Sequence, residues 1–157
     1  MRFAFSLLLM VSLAKADPIS VISFSQLEEV LQKKDDTLRV INFWATWCKP
    51  CVEELPHFEK LTQSYKDKPV KVILVSLDFK NKLPMVKAFV ERKKIQSSVV
   101  LLDQGNPNEW IDKIAPEWSG AIPATLFVKA KTGVRKFHEG DYDYETLEKQ
   151  VLQLLTL

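Results

Sequence analysis

Cysteine, histidine and glycine are all scarce in this chain: two, two and four in 157 residues. So few glycines exclude a collagen-like chain. No glycine-rich phosphate loop, Ser/His/Asp set or zinc-ligand spacing can be picked out. Internal repeats and low-complexity stretches are absent too. Hydrophobic residues make up 46% and charged residues 27%, the balance of an ordinary globular protein rather than a disordered or coiled-coil one. Phe3 to Leu13 is an apolar run about half the ~20 residues needed to span a bilayer.

That run has a different use. Arg2 precedes it and Ala14-Lys15-Ala16 follows it in a small-x-small pattern. The reading is a signal peptide over residues 1–16, cleaved after Ala16, in preference to an uncleaved membrane anchor. No cysteine follows the run, so no lipid-modified cysteine is expected at the new N-terminus. The expected location is periplasmic or otherwise extracytoplasmic. Residues 17–157 then form a single domain, long enough to bury a sizeable core. Cleavage removes Arg2 and Lys15, which lowers the 22 basic residues to 20, equal to the 20 acidic ones. A neutral domain has no electrostatic support for binding nucleic acid, and none is expected as a partner.

Both cysteines fall in one place, Trp47-Cys48-Lys49-Pro50-Cys51, between an apolar strand and a helical pattern. In an oxidising compartment two cysteines usually mean a structural disulfide. A loop of about four residues would stabilise the fold by only ~2 kcal/mol, against ~3 for fifteen. The alternative is a redox pair. Cys48 would sit where unpaired helix amides stabilise a thiolate, exposed and nucleophilic, with Lys49 adding a cation. Cys51, one turn further in, would be the buried resolving thiol. Pro50 fits the first turn without losing a donor and stiffens the loop. Glu54 lies one turn past Cys51. If buried it could pass a proton to or from Cys51; if not, it is a solvated helix glutamate like Glu53. Trp47 reads either as an apolar rim for docking partners or as packing. His57 and His138 read as surface or packing residues, although two thiols plus His57 leave open a copper-binding carrier. A peroxidase of the peroxiredoxin type would need Thr-x-x-Cys with an arginine nearby, and here Cys48 follows Trp47 within a Cys-x-x-Cys pair.

The remaining pattern gives the frame. Ser25 and Glu28 form a capping box opening a helix to about Lys34. Strands are expected over 38–45, 70–77 and 98–102, with a helix from Cys48 to Lys68-Pro69, kinked at Pro56, and another from Pro84 to about Lys94. A helix carrying Trp110, Ile111 and Ile114 follows. Strands 125–129 and 134–138 flank a turn at Lys131-Thr132-Gly133, and Asp143 caps a last helix. Strands alternating with helices and ending in a hairpin imply an α/β fold, a central mixed β-sheet flanked by helices.

Phe43 to Cys51 resembles the thioredoxin superfamily signature, and Cys51-Val52-Glu53-Glu54-Leu55-Pro56 resembles the TlpA/ResA-like branch, which carries Cys-x-x-Glu-x-Pro. Asn42 stands where thioredoxin itself has a buried Asp, as is usual in that branch. Ile122-Pro123-Ala124-Thr125 resembles the family's cis-proline loop, which faces the disulfide, and Gly133 and Gly140 match the glycines flanking its last strand. The segment from about Asn81 to Trp118 is similar to the helix–strand insertion of the branch. The resemblance implies a thioredoxin-like fold, a redox-active Cys48–Cys51 disulfide and substrate contacts from Trp47, Lys49, Pro50, Ile122 and Pro123. It implies a reductant of exported cysteine-containing proteins, apocytochrome c among the candidates, fed by a thiol-reducing membrane electron donor. No cofactor and no metal is expected, since the electrons sit on sulfur, and a monomer is expected to suffice.

Overall fold

The computed structural model describes residues 19–157. The expected signal peptide lies outside the described residues. Among those described, no helix is long and apolar enough to cross a membrane.

Seven residues decide the layering. In β2 (Leu38–Trp44) every residue is buried. Its side chains alternate faces with a period of two. Leu38, Val40 and Trp44 enter one core, while Ile41 and Phe43 enter the other. A strand buried on both faces belongs in the middle of a sheet covered on both sides. β2 pairs in parallel with β3 (Val70–Ser76) and antiparallel with β5 (Ala124–Lys129). The six-stranded order is β1-β4-β3-β2-β5-β6, with β1 (Ser20–Ile22), β4 (Ser98–Leu102) and β6 (Val134–Glu139) completing it.

The first core is covered by α2 (Lys49–Ser64), α3 (Leu83–Lys93) and α5 (Tyr144–Leu155), through Leu55, Phe58, Val86, Phe89, Leu147 and Val151. Phe58 has no exposed surface; burial on that scale contributes about 1.5–3 kcal/mol. The second core is covered by α1 (Phe24–Gln32) and the short α4 (Ile111–Ile114), with Trp110 stacked on Phe43 and Trp118 tilted against it. This is the expected mixed α/β sheet, including the helix–strand insertion: β4 slides between β1 and β3.

Several boundaries differ from the sequence reading. The N-cap of α1 is Ser23 rather than Ser25: its hydroxyl accepts from Gln26 N at 3.3 Å and the Gln26 side chain accepts from Ser23 N at 2.9 Å. Two overlapping Ser-x-x-(Glu/Gln) patterns compete, and the upstream one is used; Ser25 lies inside α1, its hydroxyl 2.8 Å from Ser23 Oγ. Helix α1 stops at Gln32, and α2 stops at Ser64, before Lys68-Pro69. Trp110 precedes α4 instead of lying within it. The three-residue strand β1 was not expected. It is too short to show alternation and exists through its parallel pairing with β4.

Candidate functional site

The β2 strand ends at Trp44, and the chain turns through Ala45-Thr46-Trp47, closed by Cys48 N donating to Ala45 O at 3.1 Å. Cys48 is the N-cap of α2, in extended backbone, and makes no side-chain capping bond. The first amides of the helix are therefore left for the sulfur that sits before them. Cys51 follows one turn later. The two are joined at an S–S distance of 2.02 Å with Cα atoms 5.3 Å apart.

Cys51 is fully buried, as expected. Cys48 is less accessible than expected, at 6% exposure. The reason is the loop opposite: the Ile122 carbonyl oxygen stands 3.7 Å from Cys48 Sγ, and the Ile122–Pro123 peptide is cis, as the resemblance implied. That loop is tied down by Gly140, whose N–H donates to Pro123 O at 2.9 Å. Gly140 has φ +129°, a conformation other residues rarely adopt. The rim around the sulfur is open: Trp47 is 68% exposed, which decides against packing as its role. Pro50 lies in the first turn of α2. Lys49 is exposed and lies 3.8 Å from Glu53 Oε1, so part of the cation assigned to the thiolate is spent on a neighbouring carboxylate.

Two adjacent glutamates on α2 have different fates. Glu53 is on the surface, while Glu54, one turn past Cys51, is 2% exposed. Asn42 Nδ2 donates to Glu54 Oε1 at 2.7 Å, and Tyr142 N donates to Oε2 at 2.8 Å. Burial raises the Glu54 carboxyl to about 7; the Tyr142 and Asn42 donors oppose the rise and Asp141 adds to it. Asn42 also donates to Thr125 Oγ1 at 3.3 Å, and its Oδ1 has no partner among the described residues. Tyr142 packs against Phe127 and His138, and burial followed by the Glu54 charge pushes its phenol up to about 12.

Sequence reasoning gave no functional part to Asn42, Tyr142 or Thr125. The two-residue period of β2 could have placed Asn42 on the α2 face. Nothing in sequence links Tyr142 to Glu54, 88 positions away. His57 does not join the cysteines in a metal-binding set; among the described residues no three His, Cys, Asp or Glu side chains are grouped in that way.

Residues 21–137 match the AhpC/TSA family. Among curated proteins, the chain is 31% identical over 109 residues to the thiol-disulfide oxidoreductase ResA of Oceanobacillus iheyensis, covering 69% of this chain and 53% of that protein. It is 40% identical over 114 residues to the protein of the same name from Bacillus thuringiensis subsp. konkukian, covering 73% and 61%. The chain thus spans roughly half to three-fifths of the length of these relatives. Among solved structures, a putative thiol:disulfide interchange protein DsbE from Chlorobium tepidum aligns with a TM-score of 0.64 at 25% identity, over 78% of this chain and 82% of that one.

Proposed function

The chain belongs to the AhpC/TSA family, and from that membership and the geometry of Cys48 and Cys51 we propose that it is a thiol–disulfide oxidoreductase acting as an exported reductant of protein cysteines. The observation that carries this reading is the arrangement around one sulfur: Cys48 at a helix mouth, Cys51 bonded beneath it, and a buried carboxyl one turn further on.

In the reduced protein, the Cys48 thiolate attacks one sulfur of a substrate disulfide. A mixed disulfide forms and the substrate's other sulfur leaves as a thiolate. Cys51 loses its proton, attacks Cys48 Sγ, and releases the second substrate thiolate. Two electrons pass from the pair to the substrate, and the Cys48–Cys51 disulfide is left. Glu54, with a carboxyl near about 7, accepts the Cys51 proton in this direction and returns it on re-reduction. The Ile122 carbonyl beside Cys48 gives an extended substrate segment a backbone partner, and Trp47, Lys49, Pro50 and Pro123 frame it.

Export rests on the Arg2, Phe3–Leu13 and Ala14–Ala16 pattern. The names of the ResA relatives support the chemistry. The substrates are exported cysteine-containing proteins, with apocytochrome c one of them, and a thiol-reducing membrane protein restores the reduced pair. The protein works as a monomer without a cofactor.

The test is equilibration with glutathione buffers, followed by acid trapping and mass analysis. A two-electron transition of the Cys48–Cys51 couple, and mixed disulfides captured by a Cys51→Ser variant in an exported extract, are expected. Absence of exchange, with stoichiometric copper uptake by the reduced protein, would replace this reading with a carrier.

A further inference from the structure

A second buried carboxylate is bonded to the turn that precedes Cys48. Asp78, just past β3, is 1% exposed. Thr46 N and Ser76 Oγ donate to its Oδ2 at 2.9 and 2.8 Å, and Thr46 Oγ1 donates to Oδ1 at 2.6 Å. Among the described residues no cation pairs with it; Lys80, two residues on, is bound to Asp103 at 2.9 Å. Thr46 is part of the turn closed by Cys48 N on Ala45 O. The parallel register is carried one step further by Leu77 N donating to Trp44 O at 2.7 Å. The turn that presents Cys48 is therefore fastened to a buried anion at the end of β3.

We infer that Asp78 is a positioning residue for the redox pair: through Thr46 it fixes the turn that carries Cys48, and its buried charge disfavours the Cys48 thiolate and makes the couple more reducing. This rests on the redox reading above and deepens it. A like charge in a desolvated setting opposes a developing anion, and hydrogen-bond donors moderate that opposition. The helix mouth and Lys49 act in the opposite sense. Lys49 is exposed and shared with Glu53, whereas Asp78 is buried and pairs with no cation among the described residues.

The sign follows for each of two variants. Asp78→Asn removes the charge and keeps the shape, so the thiolate is stabilised, the Cys48 pKa falls and the potential rises. Thr46→Val keeps the backbone donor but removes the hydroxyl, so the carboxylate is less neutralised, the Cys48 pKa rises and the potential falls. The other charged groups near the pair are common to all three proteins. They are Lys49, Glu53 and Glu54 on α2, Lys80 beyond β3, and Asp141 between β6 and α5, where the Tyr142 phenol, pushed up to about 12, stays neutral over this pH range; residues 120–124 opposite carry none.

The experiment measures wild type, Asp78→Asn and Thr46→Val for the pH dependence of Cys48 alkylation and for equilibrium with glutathione from pH 6 to 9. In that equilibrium two glutathione thiols reduce the protein disulfide and leave as glutathione disulfide. Opposite shifts are expected, of roughly tenfold in the equilibrium constant for Asp78→Asn, which is ~30 mV. The shift should grow with pH until the wild-type thiol is ionised. Shifts of the same sign, or none, in folded variants would overturn the role of Asp78 while leaving the redox reading intact. A wild-type pair that does not exchange at all would overturn both.

Discussion

Asn42 Nδ2 lies 2.7 Å from Glu54 Oε1, joining the middle strand of the sheet to the helix that carries both cysteines. The amide cannot neutralise a charge, so the carboxyl it holds pays for its burial by titrating near about 7 instead of 4.5.

Glu54 makes folding stability depend on pH. Its folded-state pKa is raised, so the folded protein binds the proton more tightly than the unfolded chain. Below about 4.5 both states are protonated and the difference vanishes; between there and about 7 stability is lost as pH rises. At 1.36 kcal/mol per unit the full loss is about 3 kcal/mol. Denaturation of wild type and Glu54→Gln with the disulfide intact should show wild type losing roughly that much relative to the variant between pH 4.5 and 8. Parallel curves would contradict the raised pKa.

Glu54→Gln should also change the resolving step. Rapid-mixing measurement of mixed-disulfide decay in wild type is expected to show an inflection close to about 7, lost in the variant along with roughly 10-fold or more in rate. The attack by Cys48 should change less. An unaltered pH–rate profile would remove the proton-transfer role.

Asn42→Asp puts a second carboxyl against the first. Two such groups share one proton, so the pair titrates in two separated steps. Folded-state protonation is favoured, and the variant should be destabilised by about 3 kcal/mol at pH 8 and clearly less at pH 5. Urea denaturation at the two pH values checks this; an equal loss at both would show that charge is not the cause.

Trp47→Ala should leave stability within about 0.5 kcal/mol of wild type, because the ring is 68% exposed. Reduction of a protein disulfide should slow by roughly 5- to 30-fold, the effect of losing an interfacial aromatic anchor worth 1–2 kcal/mol. Exchange with glutathione, which needs no docking surface, should be nearly unaffected. Equal slowing of both reactions would assign Trp47 to the chemistry of the pair.

Local patterns were legible because they depend on local physics. The double-sided apolar run of β2, the helical spacing of Leu55, Phe58 and Leu61, and the turn before Gly133 each appear where their residues put them. β1 was missed because three residues carry no period. The choice between Ser23 and Ser25 as cap was misread because both offer a hydroxyl with a Gln or Glu three residues on.

The sequence by itself determined the chemistry: two sulfurs three residues apart on a helix start, with an acid one turn beyond, since helix geometry alone fixes those spacings. Only the tertiary structure decided the environment of each group. Glu53 and Glu54 are chemically alike and adjacent, and it is the packing of α2 against β2 and the Tyr142 loop that leaves one in water and buries the other. Packing likewise closed the Ile122 loop over Cys48 and set Asp78 against Thr46, contacts that span 74 and 32 positions. Burial and charge proximity depend on which distant segments meet, and those meetings settle how acidic each group becomes.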